Sequence, residues 1–142
     1  MSDAVVVRDF ADTDYPAVLA LWRATGMASP QRGDTLATIT RTLAAGGRLL
    51  VLEAAGALAG AAWLTVDGRR TYLHHFAIAP THQRRGLGRR LLAATLDAAR
   101  AIGLQLKLEV HRDNAAAIAL YRAAGFAPLG PYDVYMIRDL AG

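Results

Sequence analysis

Between Arg48 and Ala79 three apolar runs, RLLVLEAA, GALAGAAWLTV and RTYLHHFAIA, follow one another with little more than Gly56 and Asp67-Gly68 to separate them. Each reads as a β-strand bounded by turn residues. Connections this short leave no room for a crossover helix, so neighbouring strands must run antiparallel. On either side the apolar period is helical. Upstream, AVVVR (Ala4 to Arg8) reads as a short strand. It is followed by a helix capped at Asp12 or Thr13, with Pro16 in its first turn and an apolar face of Val18, Leu19, Leu21 and Trp22. A turn-rich stretch, Gly26 to Gly33, precedes Leu36, Ile39 and Leu43, and Gly46-Gly47 stops that helix. Downstream, Leu87, Leu91, Leu92, Leu96, Ala99 and Ile102 form a helical face that ends at Gly103.

LQLKLEVH then alternates, with Leu104, Leu106, Leu108 and Val110 on one face and Gln105, Lys107, Glu109 and His111 on the other. A helix from about Asn114 to Ala124 closes at Gly125, and DVYMIRDL reads as a last strand. The order β-α-α-β-β-β-α-β-α-β predicts an α/β fold whose mixed, mostly antiparallel central sheet is flanked by helices. No repeat or linker divides the 142 residues, so 1–142 is expected to be a single domain. There is no cysteine, which excludes disulfide and thiolate chemistry. The start, MSDAVVVRDF, lacks the pattern of a signal peptide, and no apolar run approaches the ~20 residues of a membrane span. A cytoplasmic protein without a membrane partner is expected.

Of sixteen basic residues only Lys107 is a lysine, and Arg84, Arg85, Arg89 and Arg90 fall within seven positions. They belong to THQRRGLGRRLL, where a strand, a short loop and two glycines lead into a helix. The first amides of a helix lack internal partners and sit at the positive end of its dipole, and glycine lets an anion approach the backbone. This is phosphate-binding chemistry, but neither nucleotide motif is met. Leu91 stands where G-x-G-x-x-G needs its third glycine, and Gly86 is followed by Leu-Gly-Arg rather than by a P-loop. Four histidines without a carboxylate cluster at ligand spacing predict no metal site. With no basic tail and no aromatic-basic interleaving, no nucleic-acid partner is expected.

The pattern Gln83-x-x-Gly86-x-Gly88 does match. LHHFAIAPTHQRRGLGRRLL resembles the pyrophosphate-binding segment of the GNAT family, the acetyl-CoA-dependent N-acetyltransferases. LEVHRDNAAAIALYRAAGF, Leu108 to Phe126, resembles that family's second cofactor segment, and is very similar to the branch that acetylates ribosomal-protein N-termini. The resemblance implies that acetyl-CoA is the cosubstrate and that 1–142 is an N-acetyltransferase domain. Gln83, Arg84, Arg85, Gly86, Leu87, Gly88 and Arg89 would then cradle the pyrophosphate, with Arg90 left to solvent. Phe76, Ala77 and Ile78 would pair through their backbone with the pantetheine arm, on a strand that splays from LQLKLEVH.

Asn114, by its position a helix N-cap, would add a contact to the pantetheine or its bridging water. Tyr121 would be the general acid that protonates the departing thiolate, since a phenol holds its proton at neutral pH. The implied reaction is direct attack of an amine in a ternary complex, which needs a base or a water chain to take the amine's proton. Glu109, twelve residues before Tyr121, is the first candidate, and the alternative for it is pairing with Lys107 or an arginine. The glutamate base of histone-type members is absent, because Tyr72 stands at that position. His74, His75 and His111 remain alternatives, although His74 and His75 should point to opposite faces of a strand. The acceptor, a small molecule or a peptide amine, would be shaped by Trp22, Met27, Arg32, Tyr132, Asp133 and Tyr135. Members of the family often form homodimers, but no interface is legible here. A non-catalytic acyl-CoA-binding module is the alternative function.

Overall fold

The computed structural model describes residues 4–141. The strands are β1 (Val5–Asp9), β2 (Arg48–Ala54), β3 (Ala57–Val66), β4 (Arg70–Ile78) and β5 (Gln105–Leu108). The helices are α1 (Tyr15–Ala24), α2 (Leu36–Ala44), α3 (Leu87–Ile102) and α4 (Ala115–Ala123). By contact the chain forms two compact units, Met1–Glu109 and Val110–Gly142, each described by itself.

The first unit is one five-stranded sheet in the order β1-β2-β3-β4-β5. The first three pairings are antiparallel, as the short turns require, and β4–β5 is parallel because α3 intervenes. Both faces are covered, so β2 is apolar along most of its length rather than alternating. Leu49 and Val51 face a core made with Val18, Leu21 and Trp22 of α1, Ile39 of α2, Ala61, Trp63 and Ala77. Leu50, on the other side, lines a cavity with Ala94 and Ala98 of α3. Helix α3 buries Leu87, Leu91, Leu92, Thr95, Ala98 and Ala99. Thr95 is tolerated there because its hydroxyl donates to the Leu91 carbonyl at 2.7 Å. Gly103, left-handed at φ 85°, ends the helix as expected. Helix α1 starts later than expected, since Asp12–Asp14 form a 3-10 turn and Asp14 takes the N-cap position.

Arg8 ties three elements together. Its guanidinium meets both Asp14 oxygens at 2.8 and 2.9 Å and Glu53 Oε1 at 2.8 Å. The hydrogen bonds from Arg8 hold the Asp14 carboxyl below its ordinary value, against the opposing effect of burial. A depressed folded-state value means that this stabilisation is present above the unfolded value of about 3.9 and is lost as pH falls. Thermal unfolding followed downward from about pH 6 should therefore show a steeper fall in Tm near and below pH 4 for the native chain than for Arg8→Met. Equal slopes would remove the Asp14 pair as an acid-labile tie.

In the second unit, Asn114 caps α4 by accepting from the Ala117 amide at 3.2 Å. The expected last strand, DVYMIRDL, is not formed. Tyr132, Val134, Tyr135, Met136, Ile137 and Leu140 are all exposed, and the backbone of the segment takes no strand conformation. A β-branched, aromatic run is a strand only when a neighbour supplies its hydrogen bonds. Among the described residues no helix is long and apolar enough to cross a membrane.

Candidate active site

The loop after β4 is built by backbone geometry. Ile78 ends the strand and Pro80–His82 make a 3-10 turn. The Gln83 side-chain amide donates to the Ile78 carbonyl at 3.0 Å, which folds the loop back on the strand it leaves. Arg84 (φ 65°) and Gly86 (φ 76°) both adopt the left-handed region. A Cβ at Gly86 would meet no atom within 4 Å, so conformation rather than space calls for glycine there. Gly86 is the N-cap of α3 and makes no side-chain cap bond, while buried Leu87 anchors the first turn. The opening amides of a sixteen-residue helix are thus left for an anion. Arg84, Arg85 and Arg89 are exposed beside them. Arg90, expected to face solvent, is exposed but also reaches the Val5 carbonyl at 3.4 Å.

The strand preceding the loop outruns its neighbour. The β4–β5 register ends at Leu73–Leu108, whereas β4 continues to Ile78 against β3. Ala77 and Ile78 bury their side chains and Phe76 half-buries its ring, so the side chains of the expected pantetheine strand serve the core.

The mouth of this divergence gathers the titratable groups. Glu109 was expected on a face of β5, but the strand stops one residue earlier and Glu109 follows it, exposed. Lys107, one of the alternative partners for Glu109, instead lies over the Tyr72 ring, 5.7 Å from its centroid, and no ion pair holds Glu109 among the described residues. His74 stacks on Tyr72 and its Nε2 lies 2.8 Å from Thr65 Oγ1. Its imidazole is held below its ordinary value by desolvation and by His75, against the opposing charges of Glu109 and Asp34.

The expected opposite orientation of His74 and His75 does not survive, because both rings approach Trp63. The cause is a bulge. Ala61 pairs with Ala77 and Trp63 with His74, so β4 carries one residue more than β3 across this stretch. His75 Nε2 lies 2.9 Å from Asp34 Oδ2. Asp34 was not foreseen. It follows the turn-rich stretch, its partner is 41 positions away, and no local spacing marks it.

Trp22, expected to shape the acceptor pocket, is fully buried, and Met27 packs against the same core. Arg32 and Asp133 are exposed, as are the tail residues Tyr132 and Tyr135. His111 accepts from the Asp113 amide at 3.1 Å and so closes its own turn. Tyr121 is buried, its ring edge-on to Phe126 at 5.5 Å, and burial pushes its phenol up from 10.0. Among the described residues no three or more histidines and carboxylates gather as a metal site would require.

A strand that outlasts its parallel neighbour, leading through a left-handed loop into an uncapped helix, defines an α/β protein suited to an extended anionic ligand. The chain belongs to the GNAT acetyltransferase family, whose model matches residues 13–126. It is 47% identical over 79 residues to the mycothiol acetyltransferase of Clavibacter michiganensis subsp. michiganensis, covering 55% of this chain and 26% of that one. It is 44% identical over 79 residues to the N-alpha-acetyltransferase RimI of Mycobacterium tuberculosis, covering 53% and 49%. The chain thus spans about half or less of the length of these curated relatives.

Among solved structures it resembles the ribosomal-protein-S18-alanine N-acetyltransferase of Escherichia coli (TM-score 0.69, 29% identity, 86% of this chain and 77% of that one). It also resembles yncA of Salmonella typhimurium with its cofactor acetyl-CoA (TM-score 0.74, 25% identity, 87% and 80%).

Proposed function

We propose that the chain is an acetyl-CoA-dependent N-acetyltransferase, a single domain over 1–142 that moves an acetyl group to a primary amine of a small molecule or peptide. The strand–loop–helix unit from Phe76 to Arg89 carries this reading. It offers main-chain groups along β4, uncapped amides at the start of α3, and three arginines beside them. In this reading the backbone of Phe76, Ala77 and Ile78 runs beside the pantetheine arm. Gln83 braces the loop, and Arg84, Arg85, Gly86, Leu87, Gly88 and Arg89 hold the pyrophosphate. Asn114 caps α4 and adds a pantetheine contact. Tyr121 protonates the leaving thiolate. Glu109 stands on the amine side, where its exposed carboxylate draws the cationic acceptor and helps to take up its proton. A cytoplasmic site accompanies this reading. The proteins it resembles include a mycothiol acetyltransferase and a ribosomal-protein-S18-alanine N-acetyltransferase, so both acceptor classes belong in a first screen.

The test is thermal unfolding with acetyl-CoA, CoA and NADH. A ligand that binds only the folded state adds about 2.7 kcal/mol at ~100 times its dissociation constant. Tm should rise with both CoA species and stay unchanged with NADH. Arg84→Ala combined with Arg85→Ala should reduce the rise. No rise with either CoA species would overturn the reading, and binding without transfer to any amine would leave a CoA-binding module.

A further inference from the structure

His75 combines features that a packing histidine does not need. It sits in the β4 bulge with φ 47°, a left-handed backbone that costs a side-chain-bearing residue roughly 1–2 kcal/mol. The extra residue turns its ring into a corner formed by Trp22 at 4.9 Å and 73° and Trp63 at 5.9 Å and 61°. There Nε2 lies 2.9 Å from Asp34 Oδ2, with the histidine side chain 26% exposed and that of the aspartate 12%.

Asp34 is itself immobilised. The same Oδ2 accepts from the Ser29 amide at 2.9 Å, and its carbonyl accepts from the Tyr15 hydroxyl at 2.8 Å. A carboxylate can only accept, so Nε2 is the protonated nitrogen of the neutral imidazole and Nδ1 carries the lone pair. A base whose other nitrogen is tied to a buried acid is the orienting arrangement of hydrolase triads. Its place in the chain matters as well. His75 directly precedes the strand Phe76–Ile78, at the end remote from the loop that starts α3. A ligand with its phosphates at that loop and its arm running back along β4 brings its far end towards His75.

We propose that the His75–Asp34 pair is the proton acceptor for the amine, with His75 the catalytic base and Asp34 its positioning residue; this rests on the N-acetyltransferase reading above. Nδ1 takes one proton from the acceptor ammonium. The nitrogen lone pair then attacks the acetyl carbonyl, the C–N bond forms, and the C–S bond breaks with its electron pair going to sulfur. The departing thiolate takes up one proton, and the amide nitrogen gives up its second proton to water. His75 returns its proton to water, for a net release of one proton. Glu109 is thereby narrowed to attracting the cationic acceptor. The titratable groups around the pair are His74 on β4, Tyr15 at the start of α1, and Glu109, whose charge acts on His74.

The test uses the full chain, acetyl-CoA, and a panel of primary amines that includes alanine-initiated tetrapeptides, free amino acids and aromatic amines. His75→Asn removes the base with a residue that tolerates the left-handed backbone. It should lower kcat near pH 7 by about 10²-fold or more, with the acetyl-CoA-induced rise in Tm retained. The remaining rate should climb about tenfold per pH unit, following the neutral amine. Asp34→Asn should lower kcat and alter the pH profile while leaving KM for acetyl-CoA unchanged, which a merely structural role would not do. His75→Gly, which also accepts the backbone, should regain activity with added imidazole. A His75→Asn rate within about threefold of the native one overturns the assignment. So does failure of imidazole to raise the His75→Gly rate in a variant that still binds acetyl-CoA. Acetyl-CoA binding by the native chain with no transfer to any amine on the panel overturns the transferase reading and this inference together. Transfer by the native chain together with its loss in the His75 and Asp34 variants supports both.

Discussion

Tyr121→Phe should lower turnover by about 10²–10⁴-fold while acetyl-CoA continues to raise Tm by nearly the native amount. The substitution removes one oxygen and leaves the ring, so the edge-on contact with Phe126 is kept and α4 remains packed within its unit. A proton donor to a departing thiolate acts only as the C–S bond breaks, so its loss falls on kcat and on kcat/KM alike rather than on ground-state affinity. The direction of the phenol's titration agrees with a donor. Burial disfavours the phenolate, so the proton is held through neutral pH and is lost only above the ordinary value of 10.0. The native rate should therefore show no loss of the acid below about pH 10, and the Phe variant should lack any alkaline limb that this proton causes. The same sign applies to stability, because a raised folded value gives a contribution that is present below the unfolded value and lost as pH rises through the folded one. Single-turnover measurement with acetyl-CoA in excess separates chemistry from product release. Unchanged single-turnover rates would remove Tyr121 as the acid.

Trp22→Ala should cost about 3–5 kcal/mol in urea unfolding, a large share of the 5–15 kcal/mol that a domain commonly has. Trp22 is fully buried, stacks on Trp63 at 5.6 Å and 17°, and supports His75 edge-on. Removing it opens a cavity under the α1–sheet core and leaves the strained His75 backbone without one of its walls. Trp22→Phe, which keeps an aromatic surface, should recover most of the loss. A cost below about 1 kcal/mol for the Ala variant would show that the corner does not depend on the indole. If the Phe variant is stable but its kcat falls while acetyl-CoA still binds, the indole's part is to hold His75.

Four features were legible in the residues because they depend on short range. Tight turns at Gly56 and Asp67-Gly68 dictated an antiparallel meander, and helical spacing from Leu87 to Ile102 required a crossover that makes β4 and β5 parallel. Gln83-x-x-Gly86-x-Gly88 marked the loop through its resemblance to a known cofactor segment, and Gly86 takes the left-handed turn that opens α3. Asn114 was legible as a cap three residues before the amide it accepts from.

The alternation rule misled wherever the ladder changed. It put His74 and His75 on opposite faces, but a bulge broke the period of two, and it put Glu109 on a strand that ends one residue before it. The apolar, β-branched and aromatic run DVYMIRDL read as a strand, although strand formation is a property of a pair and not of a segment. Asp34 had no signature in its own neighbourhood. The chain by itself determined its turns, caps and apolar faces, because these are set by contacts within a few residues. Only the tertiary structure decided that His75 meets Asp34, since the two lie 41 positions apart and are joined by the packing of α1 and α2 on the sheet.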